Sequence, residues 1–153
     1  MSYLLLKFLH VGSMFLATAL AVGPSMLLYL IARSGDADAI HRTFVHATSV
    51  VRIGGAFYGL GLLFGLVAAL NGQIDLAASW LLAAYVLVGV LIAFNLGFER
   101  WARRVEQAIE GHVAAGPDLT TVVRSWAPIY ALAGMVTTML LIVFVMVVKP
   151  TLF

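Results

Sequence analysis

Residues 8–32 read FLHVGSMFLATALAVGPSMLLYLIA, a stretch of 25 residues from Phe8 to Ala32 without a charged side chain. A hydrocarbon core about 30 Å thick is crossed by about 20 helical residues, because each residue rises about 1.5 Å. Three more uncharged stretches have similar lengths: Ile53 to Ile74, Leu76 to Phe98 and Ser125 to Val148. Backbone groups find no water in lipid, so stretches this long are predicted to be helices. The sequence therefore predicts an all-α membrane protein, one domain (residues 1–153) that forms a bundle of four transmembrane helices.

Composition excludes several classes of protein. The 153-residue chain is 63% hydrophobic and 10% charged, whereas a soluble domain carries about 25% charged residues. A soluble globular protein and a disordered chain are therefore both excluded, and the expected partner is the lipid bilayer rather than nucleic acid. The chain has no cysteine, which rules out disulfides, thiolate metal sites and thiol catalysis. No acidic residue falls within the four stretches, which argues against a transporter driven through carboxylates.

The distribution of basic residues predicts the orientation of the spans. Lys7 and Lys149 flank the first and last spans at the ends of the chain. The other seven basic residues lie in the two longer connections: Arg33, Arg42, Arg52, Arg100, Arg103, Arg104 and Arg124. Because connections rich in lysine and arginine stay in the cytoplasm, both termini are predicted to lie outside and both long connections inside.

The long connections are predicted to be extensions of the helices. Asp36 can cap a helix that runs into the second span. The third span continues with an apolar stripe at helical spacing: Phe98, Trp101, Val105 and Ile109. Gly116-Pro117 is expected to stop this helix and Asp118 to cap the last one. Trp80, Trp101 and Trp126 lie near the ends of spans, where tryptophans commonly sit at the membrane interface.

Glycines are concentrated in the second span. The pairs Gly55/Gly59 and Gly61/Gly65 both have the four-residue spacing that lets membrane helices approach closely. We expect these four glycines to pack against other helices of the bundle or to form a dimer face. An alternative use is to leave room for a flat ligand against the backbone.

His10 is the single histidine within the four stretches, and an ionisable residue in lipid is a functional candidate. It lies ten residues from the middle of the first span, about 15 Å toward the outer surface. Three roles remain open: a haem or metal ligand, a proton relay, and a polar residue that bridges helices or reaches the interface. Its neighbours are expected around residues 66–71 and 79–83. Met139 and Met146, in the outer half of the last span, are either axial partners for a haem or packing residues.

Other polar residues are weaker candidates. His41 and His46 are five residues apart, which is not the spacing of a helical metal chelate, and His46 lies far on the cytoplasmic side of His10. Asn95 is a polar residue within the third span, so it needs a partner such as Ser125 or a backbone carbonyl.

Three short motifs resemble a known group of proteins. They are Leu6 to Gly12 (LKFLHVG), Arg33 to Asp36 (RSGD) and Arg52 to Gly55 (RIGG). They look like a bacterial family of integral membrane proteins of unknown function, which is similar to the HemJ-type protoporphyrinogen oxidases and the CopD-type membrane proteins. The resemblance covers roughly the first 100 residues. It implies a four-helix bundle in the bacterial inner membrane and a haem b ligated by the histidine that matches His10.

The chain departs from the HemJ pattern in one respect, because no lysine lies between Lys7 and Lys149. The intramembrane lysine of that pattern is missing, which argues against protoporphyrinogen oxidation. Two hypotheses follow. The first is a haem b protein that works in, or beside, a membrane redox or electron-transfer system. The second is a cofactor-free accessory or assembly subunit, which packs through its glycines against a second copy or a larger membrane complex.

Overall fold

A computed structural model describes residues 2–110 and 119–150, and five helices make up this part of the chain. They are α1 (Tyr3–Ala32), α2 (Ala37–Asn71), α3 (Ser79–Glu110), α4 (Leu119–Arg124) and α5 (Ala127–Val148). No strand occurs in the described residues. Four segments are long and apolar enough to cross a membrane, namely α1, α2, most of α3, and α4 together with α5. The predicted all-α four-helix fold is confirmed, while Gly116, Pro117, Asp118 and His112 lie outside the described residues.

The connection between α1 and α2 is a short turn, as the sequence predicts. Gly35 has a φ of +73°, a left-handed conformation that glycine adopts without steric cost. The Asp36 carboxylate then accepts a hydrogen bond of 3.0 Å from the backbone N–H of Ala39, which caps α2. Helix α2 therefore begins well before the uncharged stretch that starts at Ile53.

The connection between α2 and α3 is longer than the charge pattern predicts. Helix α2 ends at Asn71 and α3 begins at Ser79, although only Asp75 separates the two uncharged stretches. Gln73 has a φ of +51°, and the Asp75 carboxylate accepts from the N–H of Ala77 at 2.9 Å. Residues 76–78 are apolar but not helical. The absence of charge shows that a segment is compatible with lipid, but it does not show where a helix begins.

The helices associate as two pairs, α1 with α2 and α3 with α5. Buried residues recur every seven positions on three of these helices. They are Ile40, Ala47, Gly54, Gly61 and Ala68 on α2, Ala84, Leu91, Phe98 and Val105 on α3, and Pro128, Met135 and Ile142 on α5. A seven-residue repeat is typical of helices that pack side by side in a left-handed arrangement.

The seam between α1 and α2 is built around small residues, which set its register. Gly72 lies against the Tyr3 ring, Gly65 against His10, Gly61 against Met14 and Gly54 against Leu20. At Gly54 the neighbours include the backbone of α1, since a Cβ there would stand 3.3 Å from the Ala17 carbonyl oxygen. The two helices are therefore antiparallel and in close contact along most of their length.

An aromatic cluster joins the two pairs at the end of the bundle that carries Arg33 and Arg100, which we term the basic end. Trp101 is 3% exposed, and its indole N–H donates to the Val122 carbonyl at 3.0 Å. Its ring lies 5.3 Å from that of Phe98 and 6.1 Å from that of Tyr29, centroid to centroid. The apolar stripe from Phe98 to Ile109 is confirmed, and Trp101 is buried inside the bundle by Tyr29, Phe98 and the segment of Val122 instead of facing lipid headgroups.

Gly54→Leu should loosen the α1–α2 pair, because its side chain meets the backbone of α1, which cannot rotate away. We expect a loss of about 1–3 kcal/mol in unfolding free energy, as for overpacking of a protein core. Gly97→Leu is the matched control, since nothing lies within 4 Å of a Cβ at Gly97. Unfolding in detergent micelles, followed by circular dichroism, measures both. Equal stability of the two variants would contradict the close contact.

Candidate functional site

The His10 ring lies in the seam between α1 and α2 and is half-buried. Its Nδ1 is 2.7 Å from the carbonyl oxygen of Gly61. A carbonyl oxygen only accepts hydrogen bonds, so Nδ1 carries a proton, and the neutral tautomer compatible with this bond is the one with its lone pair on Nε2. The Gly61 carbonyl therefore selects the tautomer and holds the ring in one orientation.

Two glycines of α2 create the space for this ring. A Cβ at Gly65 would stand 2.8 Å from both Cε1 and Nδ1 of His10, closer than any side chain tolerates without a shift. At Gly61 a Cβ would meet the Met14 side chain at 2.6 Å. The absence of side chains at these two positions lets α1 approach closely enough for His10 to reach the backbone of α2.

The observed partner of His10 lies deeper in α2 than residues 66–71, where the sequence places it. The uncharged stretch ends at Ile74, three residues beyond the end of α2 at Asn71. The middle of the uncharged stretch is therefore not the middle of α2, and aligning α1 with that stretch places His10 opposite the wrong residues of α2. The partner is also a backbone carbonyl, and a pattern of side chains does not identify one carbonyl among many.

The four glycines of the two predicted rows have different surroundings. Gly61 and Gly65 face α1, whereas nothing lies within 4 Å of a Cβ at Gly55 or Gly59. The seven-residue repeat through Gly54 and Gly61 is the sequence signal for the face that contacts α1. The four-residue spacing does not distinguish that face from the one that bears Gly55 and Gly59.

The two candidate methionines lie on the other helix pair. Met139 and Met146 are partly buried against the core formed mainly by α3 and α5. Met139 also lines a cleft between the pairs, and the α1 residues of that cleft begin at Ala17. Ala17 is seven residues from His10, about 10 Å along the helix axis. The cleft therefore does not unite His10 with Met139, and a methionine as second axial ligand stays a prediction.

The cleft is partly open, has a volume of about 280 Å³ and lies near the middle of the spans. All four long helices line it: Ala17, Thr18, Ala21 and Val22 of α1, Val51, Gly54, Gly55 and Tyr58 of α2, Leu91, Ile92 and Asn95 of α3, and Met135 and Met139 of α5. Within the described residues, the buried Tyr58 hydroxyl has no hydrogen-bond partner. A tyrosine within an apolar span is a sequence signal for this residue, although neither the charge pattern nor the glycine spacing identifies it.

Asn95 also lines the cleft and does not pair with Ser125, the partner suggested from the sequence. The Ser125 hydroxyl instead accepts from the backbone N–H of Ala127 at 3.2 Å, at the start of α5. Asn95 is separated from Ser125 because it lies deeper in the span, at the level of Tyr58. The two polar groups of the cleft thus come one from each helix pair.

The remaining ionisable residues form no metal centre in the part of the chain that is described. There, no three histidine or acidic side chains come together to hold a metal ion. His41 and His46 are exposed on α2. The ion pair seen on α3 joins Glu99 to Arg103 at the surface. His10 is therefore the one described histidine that is both within an uncharged stretch and held by the fold.

Comparison of the chain with protein-family models, with curated proteins and with solved structures found no match. The resemblance to the HemJ-type and CopD-type membrane proteins thus stays a prediction from three short motifs.

Proposed function

We propose that this membrane protein binds haem b through His10 and works in a membrane redox or electron-transfer system. The observation that supports the proposal is the hydrogen bond from His10 Nδ1 to the Gly61 carbonyl, 2.7 Å long. Histidines that ligate metals usually donate their other ring N–H to a carbonyl or a carboxylate, which orients the ring and raises the basicity of the ligating nitrogen. The same bond would leave Nε2 as the ring nitrogen that could ligate the haem iron.

The donor set is compatible with a haem, because haem iron needs only one axial histidine from the protein. Gly61 fixes the tautomer of His10, and Gly65 gives the ring its clearance. When bound, haem b supplies one-electron chemistry at its iron, while the protein supplies the ligand and its orientation.

Replacing His10 tests the haem proposal. The purified protein, or the cofactor-free protein after incubation with haem, should show a Soret band, and His10→Ala should lose it because the axial ligand is gone. His46→Ala is the matched control, since His46 is an exposed histidine of α2, and it should keep the band. Absorption spectra of the three proteins measure this.

Two results would overturn the haem proposal. One is the lack of a Soret band in the wild-type protein after reconstitution. The other is a band that His10→Ala leaves unchanged in position and intensity. Exogenous imidazole should restore the band in His10→Ala if the variant has lost only the ligand and keeps its fold.

We further propose that the protein lies in a bacterial inner membrane with both termini outside. Arg33, at the end of α1, and Arg100, on α3, define the basic end of the bundle. Lys149 lies at the opposite end, with its Nζ 5.2 Å from the centre of the Trp80 ring. This separation supports the orientation, since the basic end of a membrane protein stays in the cytoplasm.

Single cysteines test the orientation directly, because the chain has none of its own. Asp75→Cys, in the exposed connection between α2 and α3, should react with a membrane-impermeant maleimide in spheroplasts. Asp38→Cys, exposed at the start of α2, should react only after the membrane is permeabilised. The reverse pattern of labelling, measured by mass shift, would show that the termini lie inside.

A second candidate is a cofactor-free accessory subunit, a role favoured by the open glycine face of Gly55 and Gly59. Nothing lies within 4 Å of a Cβ at either position, and exposed small residues let another membrane helix approach closely. The occupant would be a second copy of the chain or a helix of a larger membrane complex.

Gly59→Leu tests this face, because a large side chain there would separate the approaching helix. Two differently tagged copies, or the protein and its complex, should then co-purify less well. Gly97→Leu, at another open glycine, should leave co-purification unchanged. Full co-purification of a variant with leucine at both Gly55 and Gly59 would exclude this face as the contact.

A further inference from the structure

The cleft between the two helix pairs contains polar groups that the fold does not use. The Tyr58 hydroxyl is buried and has no hydrogen-bond partner in the described part of the chain. Asn95 lines the same cleft from α3. By contrast, the third polar residue of the lining, Thr18, donates its hydroxyl to the Met14 carbonyl at 2.8 Å. A buried hydroxyl without a partner is destabilising, so an occupant that accepts a hydrogen bond from Tyr58 would bind favourably.

The size and walls of the cleft restrict this occupant. A dry cavity of about 150 Å³ holds benzene, so a volume of about 280 Å³ is suited to roughly two fused rings. None of the lining residues is charged, and most are alanine, valine, leucine, isoleucine or methionine. Gly54 and Gly55 leave part of the α2 wall without side chains. A flat, neutral molecule that is soluble in lipid fits these walls.

We infer that the cleft binds the headgroup of a lipid-soluble quinone. A quinone is planar and uncharged, and its carbonyl oxygens accept hydrogen bonds, whereas the Tyr58 hydroxyl and the Asn95 amide donate them. The two donors line the same cleft from different helix pairs, so a headgroup with two carbonyl oxygens offers an acceptor to each. The partly open cleft leaves a path for an isoprenoid tail into the surrounding lipid. The site lies deeper than His10 and does not depend on haem at that residue.

Binding of 2-methyl-1,4-naphthoquinone to the purified protein in lipid nanodiscs tests the inference. We expect saturable binding of one molecule per chain, with the infrared carbonyl band shifted to lower frequency. Tyr58→Phe removes one donor and should weaken binding about two- to tenfold, the usual effect of one hydrogen bond. Asn95→Leu should do the same. Tyr130→Phe is the matched control, because Tyr130 is 69% exposed and lies outside the cleft, and it should bind like the wild type.

A second probe separates hydrogen bonding from simple partition into the bilayer. 2-Methylnaphthalene has the same ring system without carbonyls, so it should bind the wild-type protein more weakly. Tyr58→Phe should bring the affinities of the two probes closer together. Equal binding of both probes to the wild-type protein, or naphthoquinone uptake that never saturates, would overturn the inference.

A steric variant tests the location of the site. Gly55→Leu should fill the cleft and reduce naphthoquinone binding more than tenfold, since Gly55 lines the cleft and has open space at its Cβ. Gly89→Leu, at an open glycine of α3 away from the cleft, should bind normally. If Gly55→Leu binds as well as Gly89→Leu, or if native mass spectrometry finds only a phospholipid retained in competition with the quinone, the cleft is not a quinone site. If Gly55→Leu fails to fold, the weaker naphthoquinone binding expected for Tyr58→Phe tests the location of the site instead.

Discussion

The close contact between α1 and α2 is the constraint on which the rest of the structure depends. Within lipid, the hydrophobic effect does not drive helices together, so association relies on packing and on hydrogen bonds between helices. At Gly54, Gly61 and Gly65 the missing side chains let α1 approach the backbone of α2. Only at this distance can the His10 ring reach the carbonyl of Gly61. The packing of the pair and the proposed haem ligand therefore have the same cause.

The two helix pairs differ in how they are packed. The α1–α2 seam is built mainly around small residues, whereas the α3–α5 seam combines small residues such as Gly134 with large ones, among them leucine, phenylalanine and methionine. Tyr29, Phe98 and Trp101 join the pairs at the basic end. Toward the middle of the spans the pairs separate and leave the cleft with Tyr58 and Asn95. The two proposed sites thus lie at different depths, one within a pair at His10 and one between the pairs.

Local features of the fold were predictable because they depend on neighbouring residues. The capping of α2 by Asp36 and the apolar stripe through Val105 follow from spacing along one helix. The burial of Trp101 was not predictable from its position near a span end, since it requires the carbonyl of Val122 from a distant segment. The beginning of α3 at Ser79 was not predictable from charge alone, because apolar residues 76–78 belong to a turn anchored by Asp75.

By itself, the sequence determined the four spans, the concentration of basic residues in the two longer connections and the place of His10 as the single histidine within an uncharged stretch. These follow from the cost of placing charges and free backbone groups in lipid, which depends on composition over about 20 residues. The tertiary structure alone decided which glycines contact α1, which carbonyl accepts the hydrogen bond from His10, and that Tyr58 and Asn95 share a cleft. These depend on how helices that are distant in the chain are rotated and aligned against each other. A change in the rotation, or a shift of a few residues in the register, changes every contact.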